Sequence, residues 1–212
     1  MANINPIRRA EIGREKRART RAQLIEAGHA LFAKQAVESV TVDDLIKEAG
    51  VAKGTFYVHF DGLEALIAAV AEDLVQSFDE LLQSGRTSIT EPALRIAFGC
   101  SSFIDKARED PRWAAVAARI AATSPKGAES VRRRLFEDLQ QFSQGLPDDG
   151  SAELRLEIVV GIMLQILRAL SEGRLSSLDR NQVIAAILRA IGIDARHAES
   201  VIARLSAVSP VL

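Results

Sequence analysis

Apolar residues recur every three or four positions along most of the chain, the spacing that lets one face of an α-helix enter a core. Leu24, Ile25, Gly28, Leu31 and Phe32 share such a face and predict a helix ending near Gln35. Val42, Leu45, Ile46 and Ala49 predict a second, short helix. Thr41 stands where it can cap that helix, Asp44 completes a capping box, and Gly50 is free to take the left-handed conformation that ends a helix. The segment from Ala52 to His59 is too brief to fold alone, but Phe56 and Phe60, four residues apart, can anchor it. Leu63, Leu66, Ile67, Val70, Leu74, Phe78 and Leu81 predict a long fourth helix that links the N-terminal helices to the rest of the chain.

Beyond the loop SGRTSITEP, a helix is predicted over about 91–108. Asp110-Pro111 and Ser124-Pro125 each place a capping residue before proline, as at helix starts. Further helices are predicted near 152–172, 179–192 and 195–207, with the string SQGLPDDGS at 143–151 as the clearest loop ahead of them. The expected fold is all-α: a three-helix helix-turn-helix domain over residues 1–60, then a larger helical domain over 61–212.

Composition agrees with that fold. A 48% hydrophobic fraction can fill a substantial core, and 5% aromatics with six prolines favour helices over a β-sandwich. The most apolar run, Ile158 to Leu167, contains Gln165 and is far short of the roughly 20 residues a membrane span needs. No stretch has the order of a signal peptide and the lone Cys100 cannot form an internal disulfide, so a cytoplasmic location is the default expectation. Net charge is -1, but it is unevenly placed: residues 1–60 carry ten Lys/Arg against seven Asp/Glu, and the remainder seventeen against twenty-one. Arg8, Arg9, Arg14, Lys16, Arg17, Arg19 and Arg21 face only Glu11 and Glu15, which makes a basic arm.

Two short helices joined through a glycine turn, behind a first helix that begins in a basic arm, have the organisation of a helix-turn-helix. The string TVDDLIKEAGVAKGTFYVHFDGLEAL, residues 41–66, resembles the signature of the TetR family: an apolar-periodic helix, an Ala-Gly turn, a Gly-Thr pair and a Tyr-x-His-Phe ending. The resemblance spans about residues 14–66, and the rest of the chain matches only in length and helicity. It implies that Ala52, Lys53, Gly54 and Thr55 open a recognition helix facing the major groove, with Tyr57, His59 and Thr41 at phosphates. The residue types suit that task. Gly54 permits close backbone approach, Thr55 offers a hydroxyl and a methyl, and Lys53 can reach a guanine edge or a phosphate. Phe56 and Phe60 are expected in the core. Ala52 stands where the family often has serine and Leu63 where it often has lysine, so phosphate affinity is expected to lean on Arg14, Arg17 and Arg21 of the arm. The alternative for the arm is a solvated tail.

For the second domain, the resemblance implies a small-molecule pocket and a pair of helices that join two subunits. Phe98, Phe103, Trp113, Phe136, Phe142, Met163 and Gln165 are the candidate lining residues for a largely apolar effector, against the alternative of ordinary core. The helices near 152–172 and 179–192, through Ile158 to Leu167 and through Val183, Ile184, Ile187, Leu188 and Ile191, are the candidate homodimer surface, which implies a palindromic double-stranded operator. His29, His59 and His197 have no metal-ligand spacing, and no nucleophile elbow or phosphate loop is present, so no metal, cofactor or catalytic residue is expected. Cys100, flanked by Phe98 and Phe103, reads as an inert buried thiol more readily than as a redox sensor. Three functions compete: a repressor released from its operator by a ligand, a DNA-binding protein whose second domain only dimerises or meets proteins, and a helical enzyme. The first is the expectation.

Overall fold

The computed structural model describes residues 6–123, 129–143, 151–175, 177 and 179–208. Those residues form α1 (Pro6–Phe32), a 3-10 turn (Val37–Ser39), α2 (Val42–Ala49), α3 (Lys53–His59), α4 (Leu63–Arg86), α5 (Pro92–Glu109), α6 (Pro111–Thr123), α7 (Glu129–Phe142), α8 (Ser151–Ser171), α9 (Arg180–Ala190) and α10 (Ala195–Val208). The fold is all-α, and the helices predicted from periodicity are present with ends shifted by a residue or more. Ser124-Pro125 and residues 144–150 of the predicted SQGLPDDGS loop lie outside the described residues. The basic arm differs from a tail, since α1 begins at Pro6 and carries the arginines on helix.

The chain divides into two compact units, Met1–Val70 and Ala71–Leu212. The division falls ten residues beyond the boundary predicted at 60, because the first turns of α4 pack into the first unit. Leu66 and Val70 are fully buried there with Leu24, Phe32, Leu45 and Phe56. Gly28 of α1 permits the approach: a Cβ at this position would stand 2.8 Å from Val70 Cγ2. The α2 helix starts on the capping box read from sequence. Thr41 Oγ1 accepts from the Asp44 amide at 3.2 Å, and the Thr41 amide donates to Asp44 Oδ2 at 3.0 Å. The Thr41 hydroxyl and the Thr41 amide, both donating to Asp44 Oδ2, hold that carboxyl below the usual carboxylate range. The helix stops at Gly50, whose φ of 65° is the left-handed conformation that glycine takes without steric cost.

In the second unit α5 is the buried axis, packing against α6, α7, α8, α9 and α10. Ion pairs fasten its neighbours to it. Arg180 of α9 pairs with Asp105, and Glu91 at the start of α5 accepts from Arg204 and meets His197 of α10. The Arg204 guanidinium holds Glu91 below its ordinary pKa. Arg155 of α8 donates to the Ile191 carbonyl at 2.9 Å and to the Ser143 hydroxyl at 2.8 Å, tying three helix ends together.

The α9 helix departs from its expected role. Val183, Ile184, Ile187, Leu188 and Ile191 are all buried within their own unit, so they present no face to a partner. The reason is economy of apolar surface: α9 packs that stripe against α5, α8 and α10. The α8 helix is amphipathic in a different way. Val159, Met163 and Leu167 are buried, while Leu154 is 62% exposed and Gly161 and Gln165 also meet solvent.

Replacing Gly28 by Ala is expected to destabilise the protein by roughly 1–3 kcal/mol through overpacking against Val70. Gly13→Ala, in the same helix with nothing near its Cβ position, is expected to be neutral or to stabilise by roughly 0.5–1 kcal/mol. Denaturant unfolding of both variants checks the contrast.

Candidate functional site

Two regions carry candidate chemistry, one in each unit. In the first, α3 is seven residues long and owes its position to one side chain, Phe56, which is fully buried. Phe60 at the helix end is also buried, with its ring centroid 5.9 Å from that of Phe56. These two aromatics turn one face of α3 inward. Lys53, Gly54 and Tyr57 are left exposed, with Thr55 and His59 half-buried. Nothing lies within 4 Å of a Cβ position at Gly54, so the backbone there is open to close approach. Ala52 precedes the helix in extended conformation and supplies no side-chain cap, as its residue type requires.

Lys53 does not stand free in this conformation. Its Nζ donates to Asp43 Oδ1 of α2 at 2.9 Å, which raises the lysine pKa above its ordinary value. Both partners are well exposed, so the pair can open readily in favour of a phosphate or a base edge. Tyr57 makes an edge-on contact with the Phe56 ring at 5.3 Å, which steadies a side chain that is 52% exposed. Thr41 is exposed, though its hydroxyl also donates to Asp44 Oδ2 at 2.7 Å. Val58, 72% exposed, is not among the residues expected from sequence. Its signal was available: two positions after Phe56, it lies about 200° around the helix from the anchoring face.

Arg14, Arg17 and Arg21 are exposed at spacings of three and four residues, which places them on one face of α1. Arg21 lies over the Phe60 ring, 5.2 Å from its centroid. That stacking fixes its guanidinium beside the end of α3.

In the second unit, α4 to α8 line a half-open cavity of about 170 Å³. Of the residues expected to line it, Phe103, Trp113 and Met163 do so, together with Phe78, Ile96, Cys100 and Leu167. Phe98, Phe136, Phe142 and Gln165 are not part of the lining, which corrects the reading from sequence. Phe98 is buried against the backbone of Gly85, where no side chain competes for the space. Phe136 is half-buried, Phe142 lies 5.9 Å beneath the Arg155 guanidinium, and Gln165 is exposed on α8. Phe78, Phe103 and Trp113 form an aromatic cluster, with Phe103 edge-on to each partner at 5.3 and 5.2 Å.

Charged side chains also reach the lining, and sequence reasoning missed them because their partners are distant along the chain. Asp138 accepts from Arg86 and from Arg95 Nε, each at 2.8 Å. Burial pushes the Asp138 carboxyl up, against the pull of both guanidinium groups. Asp79 pairs with Arg134, and Arg132 with Glu157. Among the described residues, no group of His, Cys, Asp and Glu is placed to hold a metal ion.

Residues 24–70 match the family model described as bacterial regulatory proteins, tetR family. The HTH-type transcriptional regulator TtgR of Pseudomonas putida is 34% identical over 74 residues, which is 35% of this chain and 35% of that protein. The chain thus aligns with about a third of the length of such curated relatives. The crystal structure of RolR in complex with resorcinol superposes with a TM-score of 0.62 at 25% identity, covering 90% of this chain and 96% of that one. The structure of FadR from Bacillus subtilis in complex with stearoyl-CoA superposes with a TM-score of 0.64 at 16% identity, covering 82% and 98%, and shows the fold alone. No described helix is long and apolar enough to cross a membrane.

Burial of Cys100 in the cavity wall pushes its thiol up to about 12. At pH near 8 it holds roughly a thousandfold less thiolate than a thiol at its ordinary value. Titration of the native protein with a thiol reagent is expected to find Cys100 unreactive until denaturant is added, and rapid native labelling would contradict this.

Proposed function

Because this chain belongs, through its N-terminal domain, to the TetR family of bacterial regulatory proteins, we propose that it is a DNA-binding transcriptional regulator, a repressor released from its operator by a small, largely apolar ligand. The observation that carries this reading is the division of α3: Phe56 is buried to the last atom while Lys53, Gly54, Tyr57 and Val58 face solvent. The exposed Tyr57 and Val58 give α3 an outward face that a partner can cover. A helix presented this way fits the major groove, and its outward residues are donors, a close-approach glycine and apolar groups that suit thymine methyls. Arg14, Arg17 and Arg21 add a phosphate-facing stripe.

The cavity supports the ligand-responsive reading over one in which the second domain only dimerises or meets proteins. It is lined mainly by apolar and aromatic side chains. RolR, the 25% identical neighbour, was crystallised with resorcinol, a single-ring compound. For the dimer, the stripe Leu154, Ile158, Gly161, Ile162 and Gln165 on α8 takes the place of the α9 face, which is already used. Those residues recur at helical spacing and are exposed or half-buried, with a small residue at the centre where two copies can approach. A twofold dimer of this kind would set two reading helices roughly 34–36 Å apart on a palindromic operator.

Thr55→Ala and Tyr57→Ala are expected to weaken specific DNA binding by roughly 1–3 kcal/mol while leaving unfolding unchanged. Neutralising Arg14, Arg17 and Arg21 together is expected to weaken binding to every sequence and flatten its dependence on salt by about one unit of log-log slope per phosphate lost. Titration of operator and non-specific duplexes at several salt concentrations reads both effects. Folded variants that bind as the wild type would place the reading surface elsewhere.

The wild-type chain is expected to sediment as a dimer at micromolar concentration, and Leu154→Asp combined with Gly161→Arg as a folded monomer. A wild-type monomer that binds a full palindrome with undiminished affinity would overturn the interface.

A further inference from the structure

Size and wall chemistry narrow what the second-domain cavity accepts. Its volume of about 170 Å³ is close to the roughly 150 Å³ of an engineered protein cavity that holds benzene, so one ring with a short substituent is the natural occupant. The walls are aromatic on one side, through Phe78, Phe103 and Trp113, which favours a ring that can stack or pack edge-on.

Charge is the next constraint. Each charged side chain of the lining is already engaged: Asp138 with Arg86 and Arg95, Asp79 with Arg134, and Arg132 with Glu157. Arg95 uses its other N–H groups on the carbonyls of Ile89 and Thr90 and on Gln141. An ionised ligand would have to be desolvated and then compete with these pairs, whereas an uncharged one leaves them intact.

One polar atom in the wall has no such partner. Trp113 is buried and lines the cavity, and its Nε1–H has no acceptor among the described residues. Its backbone is fixed at the start of α6, where the Trp113 amide donates to Asp110 Oδ1 at 2.9 Å. An indole N–H can only donate, and a buried donor without an acceptor is unfavourable. The Nε1 atom lies beneath the lining surface, so the indole turns toward the opening for a ligand acceptor to reach it, and that bond removes the penalty.

We propose that the cavity takes an uncharged, single-ring ligand bearing a hydrogen-bond acceptor, and that Trp113 Nε1–H is the donor that recognises it. The proposal rests on the reading of the second domain as an effector site, but it concerns binding to the free protein, so it stands or falls without DNA.

Trp113 is the single tryptophan of the chain, so the protein gives one indole N–H resonance. The probes are acetophenone, with ethylbenzene as the hydrocarbon that lacks its carbonyl oxygen, and benzoate and benzylammonium as charged analogues. Acetophenone is expected to bind about three- to tenfold more tightly than ethylbenzene, as one neutral hydrogen bond implies, and to move the indole N–H resonance downfield. In Trp113→Phe the gap is expected to close, with ethylbenzene affinity within about twofold of the wild type, which also shows the variant folded. Equal affinities in the wild type, a gap that survives Trp113→Phe, preference for either ion, or no binding by any probe would overturn the proposal. Operator affinity measured with and without acetophenone separates this result from the regulatory reading: tight binding that leaves operator affinity unchanged would sink the effector role and leave the ligand class standing.

Discussion

A helix of seven residues cannot hold itself together in water, because nucleation fixes several residues for each hydrogen bond gained. The α3 helix therefore exists only as far as Phe56 is held by its surroundings. Everything that the N-terminal unit presents on the outer face of α3 depends on this anchoring. The left-handed turn at Gly50 brings α3 back beside α2, and the buried ring sets its rotation. The side chains on the opposite side are then presented at fixed angles. Missing a side-chain cap at Ala52, α3 draws its start from backbone bonds alone, since Thr55 and Phe56 amides both donate to the Ala52 carbonyl.

The N-terminal unit was legible in the sequence because its determinants are local. Thr41 and Asp44 are three residues apart, Phe56 and Phe60 four, and a single glycine ends α2. Each of these acts through the backbone geometry of its own segment, so spacing suffices to read it. The cavity is built otherwise. Whether Phe98 points at an opening or at the backbone of Gly85 depends on how α4 and α5 cross, which no spacing encodes. Arg95 and Asp138 are 43 residues apart, and nothing in either neighbourhood announces the other. The α9 helix shows the same limit in reverse: its apolar stripe was visible, but whether a partner or its own unit covers that stripe is a question of tertiary economy.

The ion cluster at Asp138 explains how a cavity with six charged side chains in its lining stays apolar in character. Desolvation alone would make a buried carboxylate costly, and one guanidinium would not fully offset it. Two do more, and they come from α4 and α5 while the carboxylate comes from α7. The charges face one another and leave hydrocarbon facing the opening. The same cluster limits how far α4 and α7 can separate, because moving either by a few ångströms would strand a buried carboxylate whose pKa burial has already raised.

That stiffness bears on how an effector can act. A ligand alters DNA affinity only to the extent that it binds two conformations unequally, however tightly it binds either. A single-ring molecule has few atoms, and at roughly 0.3 to 1.5 kcal/mol per atom its whole binding energy is modest. To achieve a coupling of about 1–3 kcal/mol, a large share of that energy must be present in one conformation and absent in the other. A soft cavity that adapts to its occupant would spread the energy over both. A wall pinned by buried ion pairs and a tight aromatic cluster, as the proposed effector site has, would concentrate it in one arrangement. Phe78 and Leu74, which line the cavity, belong to the same unbroken helix as Leu66 and Val70 of the first unit's core.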